Sequence, residues 1–360
     1  MAPSTSVPSI DGKAIFYMVL LALQFGAQPS LTRHFTPSGI NRSTVILVQE
    51  VMKFGLAAFM LRVSSTNTQL KDLYSKWSLV QWVQVAGVPA GLYAVQNVAA
   101  LTAYQHLDAL TFNVLNQTKT LSAALCCYVV MGQQQSFVQV LALLLLLLSA
   151  LVVEGVMPLP FLSDANKVEE KTISEDGGGI SQWDTTHVTY GVAPILLASF
   201  ISGLAGALSQ KNLQSAGGGR NPYWFSMELC AASAMMLGLK LLFNSSSSSE
   251  ATTTSTISVG MWDGWTLTTL IPIATNAAGG IVVGLVTKYA GSVRKGFALI
   301  FGILLSGVIQ ELVTKKDEGG GSVRPEQIVG GLLAGVSLYL HATNPPARKP
   351  KVVDEQKKKN

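Results

Sequence analysis

Charge is what this sequence has least of. Charged residues fill 12% of its 360 positions, about half the roughly 25% carried by a soluble globular chain. A water-exposed surface on a chain this long needs far more charge, which excludes a soluble globular protein. With 49% hydrophobic residues, a net charge of +5 and a mean hydropathy of +0.38, intrinsic disorder is excluded as well. Cysteine is equally scarce. Cys126, Cys127 and Cys230 have the spacing of neither a zinc site nor a disulfide framework, and they read as small apolar fillers. The four histidines, His34, His106, His187 and His341, all stand at the ends of apolar runs. No Asp/His/Ser or Cys/His arrangement lies at depth, so hydrolase and acyl-transferase chemistry are not expected. The basic isoelectric point, near 9.0, does not point to nucleic acid. Six of the 25 basic residues crowd into the last 13 positions, and no basic helix or aromatic-interleaved strand is present.

What the sequence has instead is apolar windows of membrane-spanning length. Ten are readable, near 14–34, 43–62, 79–105, 109–131, 136–157, 188–210, 223–243, 264–288, 294–313 and 325–343. The first contains Gln24, Gln28 and Pro29 and lacks a basic leader, so it is read as a span and not as a cleaved signal. With the N-terminus in the cytosol, cytosolic segments and flanks hold fifteen Lys and Arg, the opposite side seven, and spans the remaining three. That bias fits the positive-inside rule, with both termini cytosolic. The chain then divides into a first five-helix repeat, 1–157; a lumenal acidic and Gly-rich loop, 158–187; a second five-helix repeat, 188–343; and a basic cytosolic tail, 344–360. The fold class is therefore an all-α polytopic membrane protein, ten helices as a 5+5 inverted repeat. Residues 244–260 read as a lumenal Ser/Thr loop that opens on the sequon Asn244-Ser245-Ser246.

Polar side chains inside spans are costly and mark a cavity or a partner helix. Glu50 and Lys53 stand at i,i+3 in span two, close enough to pair, either as a structural ion pair or around a ligand. Tyr93, Gln96 and Asn97 form one stripe in span three, above Pro89, suited to a sugar or a nucleobase edge or to gluing helices together. Asn113, Asn116, Gln117 and Lys119 crowd into seven residues of span four, and Lys119 has no sequence-local carboxylate. A phosphate is the economical anion for it. The second half has small-residue faces at Ser202, Gly203 and Gly206 in span six and at Asn276, Gly279, Gly280 and Gly284 in span eight. These mean close helix packing or room for a ligand against backbone. Lys288 closes span eight and Lys295 opens span nine. With Lys119, basic residues from both halves suit a diphosphate.

At these residues the chain resembles the nucleotide-sugar transporters of the drug/metabolite transporter superfamily. The strings are Gln49 to Lys53, Tyr93 to Asn97, Leu107 to Phe112, Gln117 to Lys119, Ser202 to Gly206, and Gly279-Gly280 through Lys288-Tyr289 to Lys295-Gly296-Phe297. The resemblance implies ten helices in an inverted repeat and exchange of a cytosolic nucleotide sugar for a lumenal nucleoside monophosphate. It implies Tyr93, Gln96, Asn97 and Lys119 as first-half pocket residues. Ser202, Gly203, Gly206, Asn221, Gly279, Gly280 and Lys288 are the second-half ones. Phe112 and Asn116 stand where the CMP-sialic acid branch has tyrosines. The likeness is greatest to plant-type endoplasmic reticulum carriers of UDP-N-acetylglucosamine and UDP-N-acetylgalactosamine, with UMP as the counter-substrate. UDP-galactose, UDP-glucose and CMP-sialic acid carriers, a non-transporting membrane scaffold and an organic-cation exporter are the alternatives. No cofactor or metal is expected. The expected partners are the nucleotide sugar, UMP, the lipid bilayer and coat proteins reading Lys357-Lys358-Lys359 as a dilysine retrieval signal. Endoplasmic reticulum or Golgi residence and a homodimeric state stay open.

Overall fold

Helices account for nearly all of the described residues. The computed structural model describes residues 11–37, 39–107, 109–153, 188–215, 219–247, 262, 264–318 and 325–345. The helices, in chain order, are α1 (Gly12–Phe35), α2 (Arg42–Ser64), α3 (Asn67–Ser75), α4 (Leu79–His106), α5 (Ala109–Gln117), α6 (Lys119–Met131) and α7 (Phe137–Val153). They continue with α8 (Val188–Gln214), α9 (Pro222–Ser247), α10 (Leu267–Tyr289), α11 (Ser292–Glu318) and α12 (Pro325–Thr343). No strand occurs among the described residues. Six of these helices are long and apolar enough to cross a membrane: α1, α2, α4, α8, α10 and the first part of α11. Two shorter apolar stretches lie in α7 and α12. The chain is a helical, multi-pass membrane protein.

A helix stands at each of the ten expected positions, and the differences have local causes. Span four is two helices, because Thr118 turns back on itself. Its hydroxyl donates to the carbonyl of Leu115 at 2.6 Å and its N–H to the same oxygen at 3.1 Å, which makes a tight turn before Lys119 starts α6. An additional helix, α3, occupies the expected loop between spans two and three. A reciprocal cap nucleates it: Gln69 N–H donates to the Thr66 hydroxyl and Thr66 N–H to the Gln69 side chain. α4 and α8 each contain one widened π-turn, Val83–Gly87 and Val188–Val192, shortly before Pro89 and Pro194. Proline has no N–H to donate, and the wider turn redistributes the freed carbonyl. α9 runs through Ser247, which corrects the sequence reading: Asn244 belongs to a helix and does not open the Ser/Thr loop. The acidic segment 158–187, most of 248–261 and the tail with Lys357, Lys358 and Lys359 lie outside the described residues.

Packing follows the logic of a bilayer. Large apolar residues such as Phe16, Val51, Phe59, Val129, Phe137 and Tyr339 are exposed on the outer surface, where lipid is as good a solvent as protein. The buried core, by contrast, is built from small residues around Leu21, Cys127, Leu146, Val286 and Phe297. α1 packs on α10 and α11, α8 on α4, α5 and α6, α2 on α9 and α10, and α7 on α12. The α7/α12 seam carries its own hydrogen bonds. Ser149 donates to the Gly330 carbonyl at 2.7 Å, Gln139 to the His341 carbonyl at 3.0 Å, and Ser337 to the Ala142 carbonyl.

α8 and α6 approach most closely at Gly203, where an added Cβ would stand 2.6 Å from the backbone of Ser122. Gly203→Ala therefore has to push two helices apart, and it should destabilise the protein by about 1–3 kcal/mol. At Gly238, in α9, nothing lies within 4 Å of an added Cβ, and Gly238→Ala should be neutral or stabilising by up to about 1 kcal/mol. Thermal unfolding of the two variants in one detergent is the check, and equal melting temperatures would contradict the close approach.

Candidate functional site

The sequence-derived polar residues fall into three neighbourhoods. In the first, α2 and α10 lie side by side in register. Asn276 donates to the Gln49 side chain at 2.7 Å. One turn further on both helices, the Lys53 stem fills the space that a side chain on Gly280 would occupy. Gly279 is similarly covered by the carboxamide of Gln24 on α1. Lys53 pairs with the buried Glu50 at 2.6 Å, as the i,i+3 spacing predicts. Tyr93 on α4 faces Ser209 on α8 and Lys53, and Cys230 on α9 lies beside the Glu50–Lys53 pair. Gly279 and Gly280 are thus small because helices α1 and α2 send amide and amine side chains across them.

The second neighbourhood joins the two halves of the chain. Lys119, at the start of α6, and Lys295, in the first turn of α11, are electrostatic neighbours. Lys295 Nζ comes within 3.9 Å of where a Gly206 Cβ would be, so Gly206 leaves room for it. Among the described residues the ion pairs are Lys53–Glu50 and Arg220–Glu228, and neither lysine of this couple has a carboxylate within ion-pair distance. Around them the turn between α10 and α11 is fastened to α8. Gln210 accepts from the Ser292 N–H at 2.7 Å and donates to Gln133 and Gln214 at 3.2 and 2.9 Å. Gln214 in turn donates to the carbonyls of Thr287 and Lys288 at 3.0 and 2.7 Å. Gly291, at φ +88°, supplies the left-handed residue that this turn needs and keeps clear of Gln210.

The third neighbourhood is a cleft of about 550 Å³ at the end of the bundle that carries α3, lined by Asp72, Lys76, Trp77, Arg220, Asn221, Trp224 and Lys288 among others. Lys288 donates to the Arg220 carbonyl at 3.4 Å. Lys288 therefore stands apart from the Lys119–Lys295 couple. Asn221 caps α9, its side-chain oxygen accepting the N–H groups of Tyr223 and Trp224 at 2.9 and 3.3 Å. Arg220 makes a two-pronged ion pair with Glu228 at 2.7 and 2.5 Å, and the Trp82 indole donates to the Glu228 carbonyl at 3.1 Å. Tyr74 of α3 meets Trp224 edge-on, ring centres 5.2 Å apart.

The remaining candidates lie elsewhere. Gln96 is half-buried, its side-chain oxygen without a hydrogen-bond partner, and Asn97 is exposed. Phe112 packs edge-on to Tyr104 at 5.3 Å and joins the apolar cluster between α4 and α8. Asn116 and Ser202 are half-buried and Gln117 is buried. Gly203 is taken up by helix packing, the plainer of the two readings its sequence left open. Sequence reasoning named Gln24, Gln28 and Gln49 without giving them a role in the site, and passed over Gln210 and the Arg220–Glu228 pair. The i,i+4 spacing of Gln24, Gln28 and Thr32 and that of Gln210 and Gln214 were the available signals.

A family model described as nucleotide-sugar transporter matches residues 14–316. The UDP-N-acetylglucosamine transporter ROCK1 of Arabidopsis thaliana is 32% identical over 305 residues, covering 85% of this chain and 86% of that one. A UDP-N-acetylglucosamine transporter of Rattus norvegicus is 26% identical over 273 residues, 74% of this chain and 76% of that one. The UDP-galactose translocator of Homo sapiens is 27% identical over 271 residues, 74% and 61%. One solved crystal structure superposes with a TM-score of 0.56 at 12% identity, over 91% of this chain and 96% of that chain, which shows a shared fold.

Arg220 lines the cleft, and the side chains of its ion pair with Glu228 are only 15% and 5% exposed. Glu228→Gln leaves a buried guanidinium without its counter-charge, and should lower stability by about 3–5 kcal/mol. The double variant Arg220→Met/Glu228→Leu should recover most of that loss. Melting curves of the single and double variants decide it, and an unstable double variant would mean that the pair does more than neutralise itself.

Proposed function

The chain belongs to the nucleotide-sugar transporter family, and on that footing we propose that it exchanges cytosolic UDP-N-acetylglucosamine or UDP-N-acetylgalactosamine for lumenal UMP. Nucleotide-sugar transport follows from the family, whose members here are named as carriers and not as enzymes. The observation that carries the finer reading is the Lys119–Lys295 couple, two ammonium groups near enough to feel each other's charge, with no carboxylate at ion-pair distance among the described residues. Inside a membrane such a couple asks for a multivalent anion, and a phosphate supplies it. Lys53, paired with Glu50, and Lys288, in the cleft, are the further cations of the candidate site. Tyr93, Gln96, Asn97, Asn116, Gln117 and Asn276 supply the uncharged donors and acceptors that orient base, ribose or sugar.

Exchange is the expected mode because an empty carrier has to desolvate these lysines without an anion whenever it closes. Either bound nucleotide removes that cost, so loaded carriers reorient and empty ones do not. No ion gradient is then needed. Alternating access through a 5+5 inverted repeat is supported by the helix contacts. α1 packs on α10 and α11 as α8 packs on α4 and on α5/α6, while α2–α9 and α7–α12 each pair a first-half helix with a second-half one. Exchanging the halves maps this set of contacts onto itself. The basic-residue bias supports cytosolic termini. Uridine is favoured because two of these relatives are named for UDP-N-acetylglucosamine and a third for UDP-galactose. The last of these keeps UDP-galactose as the second reading.

In proteoliposomes, preloading with UMP should stimulate uptake of UDP-N-acetylglucosamine, and uptake indifferent to preloading would rule out obligatory exchange. Lys119→Ala should abolish exchange and weaken UMP binding about 10- to 100-fold, the worth of a charged hydrogen bond. Lys119→Arg should rescue it only in part, because a planar fork does not replace a point charge. Competition by CMP but not UMP would replace uridine by cytidine. Changing Lys357 and Lys358 to serine should move the protein from the endoplasmic reticulum toward the Golgi, and identical residence of both forms would remove the retrieval signal.

A further inference from the structure

At the end of the bundle away from α3, helices α1, α2 and α10 enclose a second cavity of about 460 Å³, within the usual range for small-molecule sites. Its polar lining is Gln28, Thr32, Thr36, Gln49 and Asn276, and its apolar lining includes Ile46 and Ile273. None of the residues lining it is charged or aromatic. The polar groups form two hydrogen-bonded sets. On α1, Gln24 donates to Gln28 at 3.2 Å, and Gln28 donates to Thr32 at 3.2 Å and across to the Pro272 carbonyl at 3.0 Å. On the opposite wall Asn276 donates to Gln49 at 2.7 Å. Lys53 stands four residues beyond Gln49 on the same face of α2, about 5–6 Å away as one helical turn sets it, and is paired with Glu50.

We infer that this cavity is the sugar subsite of the carrier, taking the hydroxyl and acetamido groups of a nucleotide sugar. The inference rests on the nucleotide-sugar reading above and adds the place where the sugar is held. Carboxamides and threonine hydroxyls both donate and accept, as sugar hydroxyls and an acetamido group do. A phosphate finds no positive charge there, and a nucleobase finds no aromatic face on which to stack. The sugar therefore occupies the neutral chamber and its phosphates lie outside it, where the lysines are. A nucleoside monophosphate leaves the chamber empty, so the chamber distinguishes the two exchanged ligands.

The test is equilibrium binding of UDP-N-acetylglucosamine and of UMP to the purified full-length protein and to Gln28→Leu, Thr32→Val and Ile46→Phe. Each variant should bind UDP-N-acetylglucosamine about tenfold or more weakly, because polar groups built to bond a hydroxyl lose their partner or the space is filled. UMP affinity should stay within about twofold of wild type, since nothing it carries enters the chamber. Ile46→Phe removes no hydrogen bond, so it reads the space even where a polar variant fails to fold. Equal weakening of both ligands would place the nucleotide, and not the sugar, in the chamber. Unchanged binding of UDP-N-acetylglucosamine would empty it. Either result overturns the subsite while leaving the carrier intact, whereas a wild-type protein that binds neither ligand overturns the carrier reading and the subsite with it.

Discussion

A polar group in hydrocarbon has no water to fall back on, so its partners have to come from other helices, and here many of those partners meet on α8. It is the most buried of the six long apolar helices. Gln210 and Gln214 reach from it to the backbone of the turn between α10 and α11, and Ser209 faces Tyr93 of α4. Gly203 lets α6 against it, and Gly206 makes room for Lys295. Were α8 displaced, Lys119 and Lys295 would lose the scaffold that holds them together, because each sits on a helix whose near end is fixed by contact with α8. Two like charges side by side are tolerable only when the surrounding structure over-determines their positions.

Much of this was legible in the sequence for a simple reason. Spanning a bilayer imposes a length and a composition on each helix, and both are read directly from a linear chain. Helices accordingly stand at every expected position. What escaped was decided by side chains competing with that pattern. Thr118 interrupts span four through its own hydroxyl, a local hydrogen bond that hydropathy does not register. The Thr66–Gln69 reciprocal cap that begins α3 was readable, but the polar loop around it drew no attention. Helical backbone also continues past the apolar ends, α9 through Asn244–Ser247 and α11 through Thr314–Glu318, polar residues that a hydropathy window leaves out.

The site divides along the same line. Glu50 and Lys53 are neighbours by helical spacing alone, so their pairing was foreseeable. Lys119 and Lys295 are 176 positions apart in the chain, and only the packing of α6 and α11 around α8 makes them neighbours. Nothing local distinguishes Lys295 from Lys288, yet the structure sends one into the bundle and the other into the cleft. Asn221 carried a readable signal that was given another meaning. An asparagine immediately before Pro222 is the usual start of a helix, and its side chain is committed to capping α9.

The in-register contact of α2 with α10 acts as a key that fits one setting. Gln49 faces Asn276 and Lys53 faces Gly280. A shift of one turn, about 5.4 Å, that brought Lys53 opposite Asn276 would set two long side chains against each other and break the Gln49–Asn276 bond. One hydrogen bond and one glycine, a turn apart, thus define the register of the two helices.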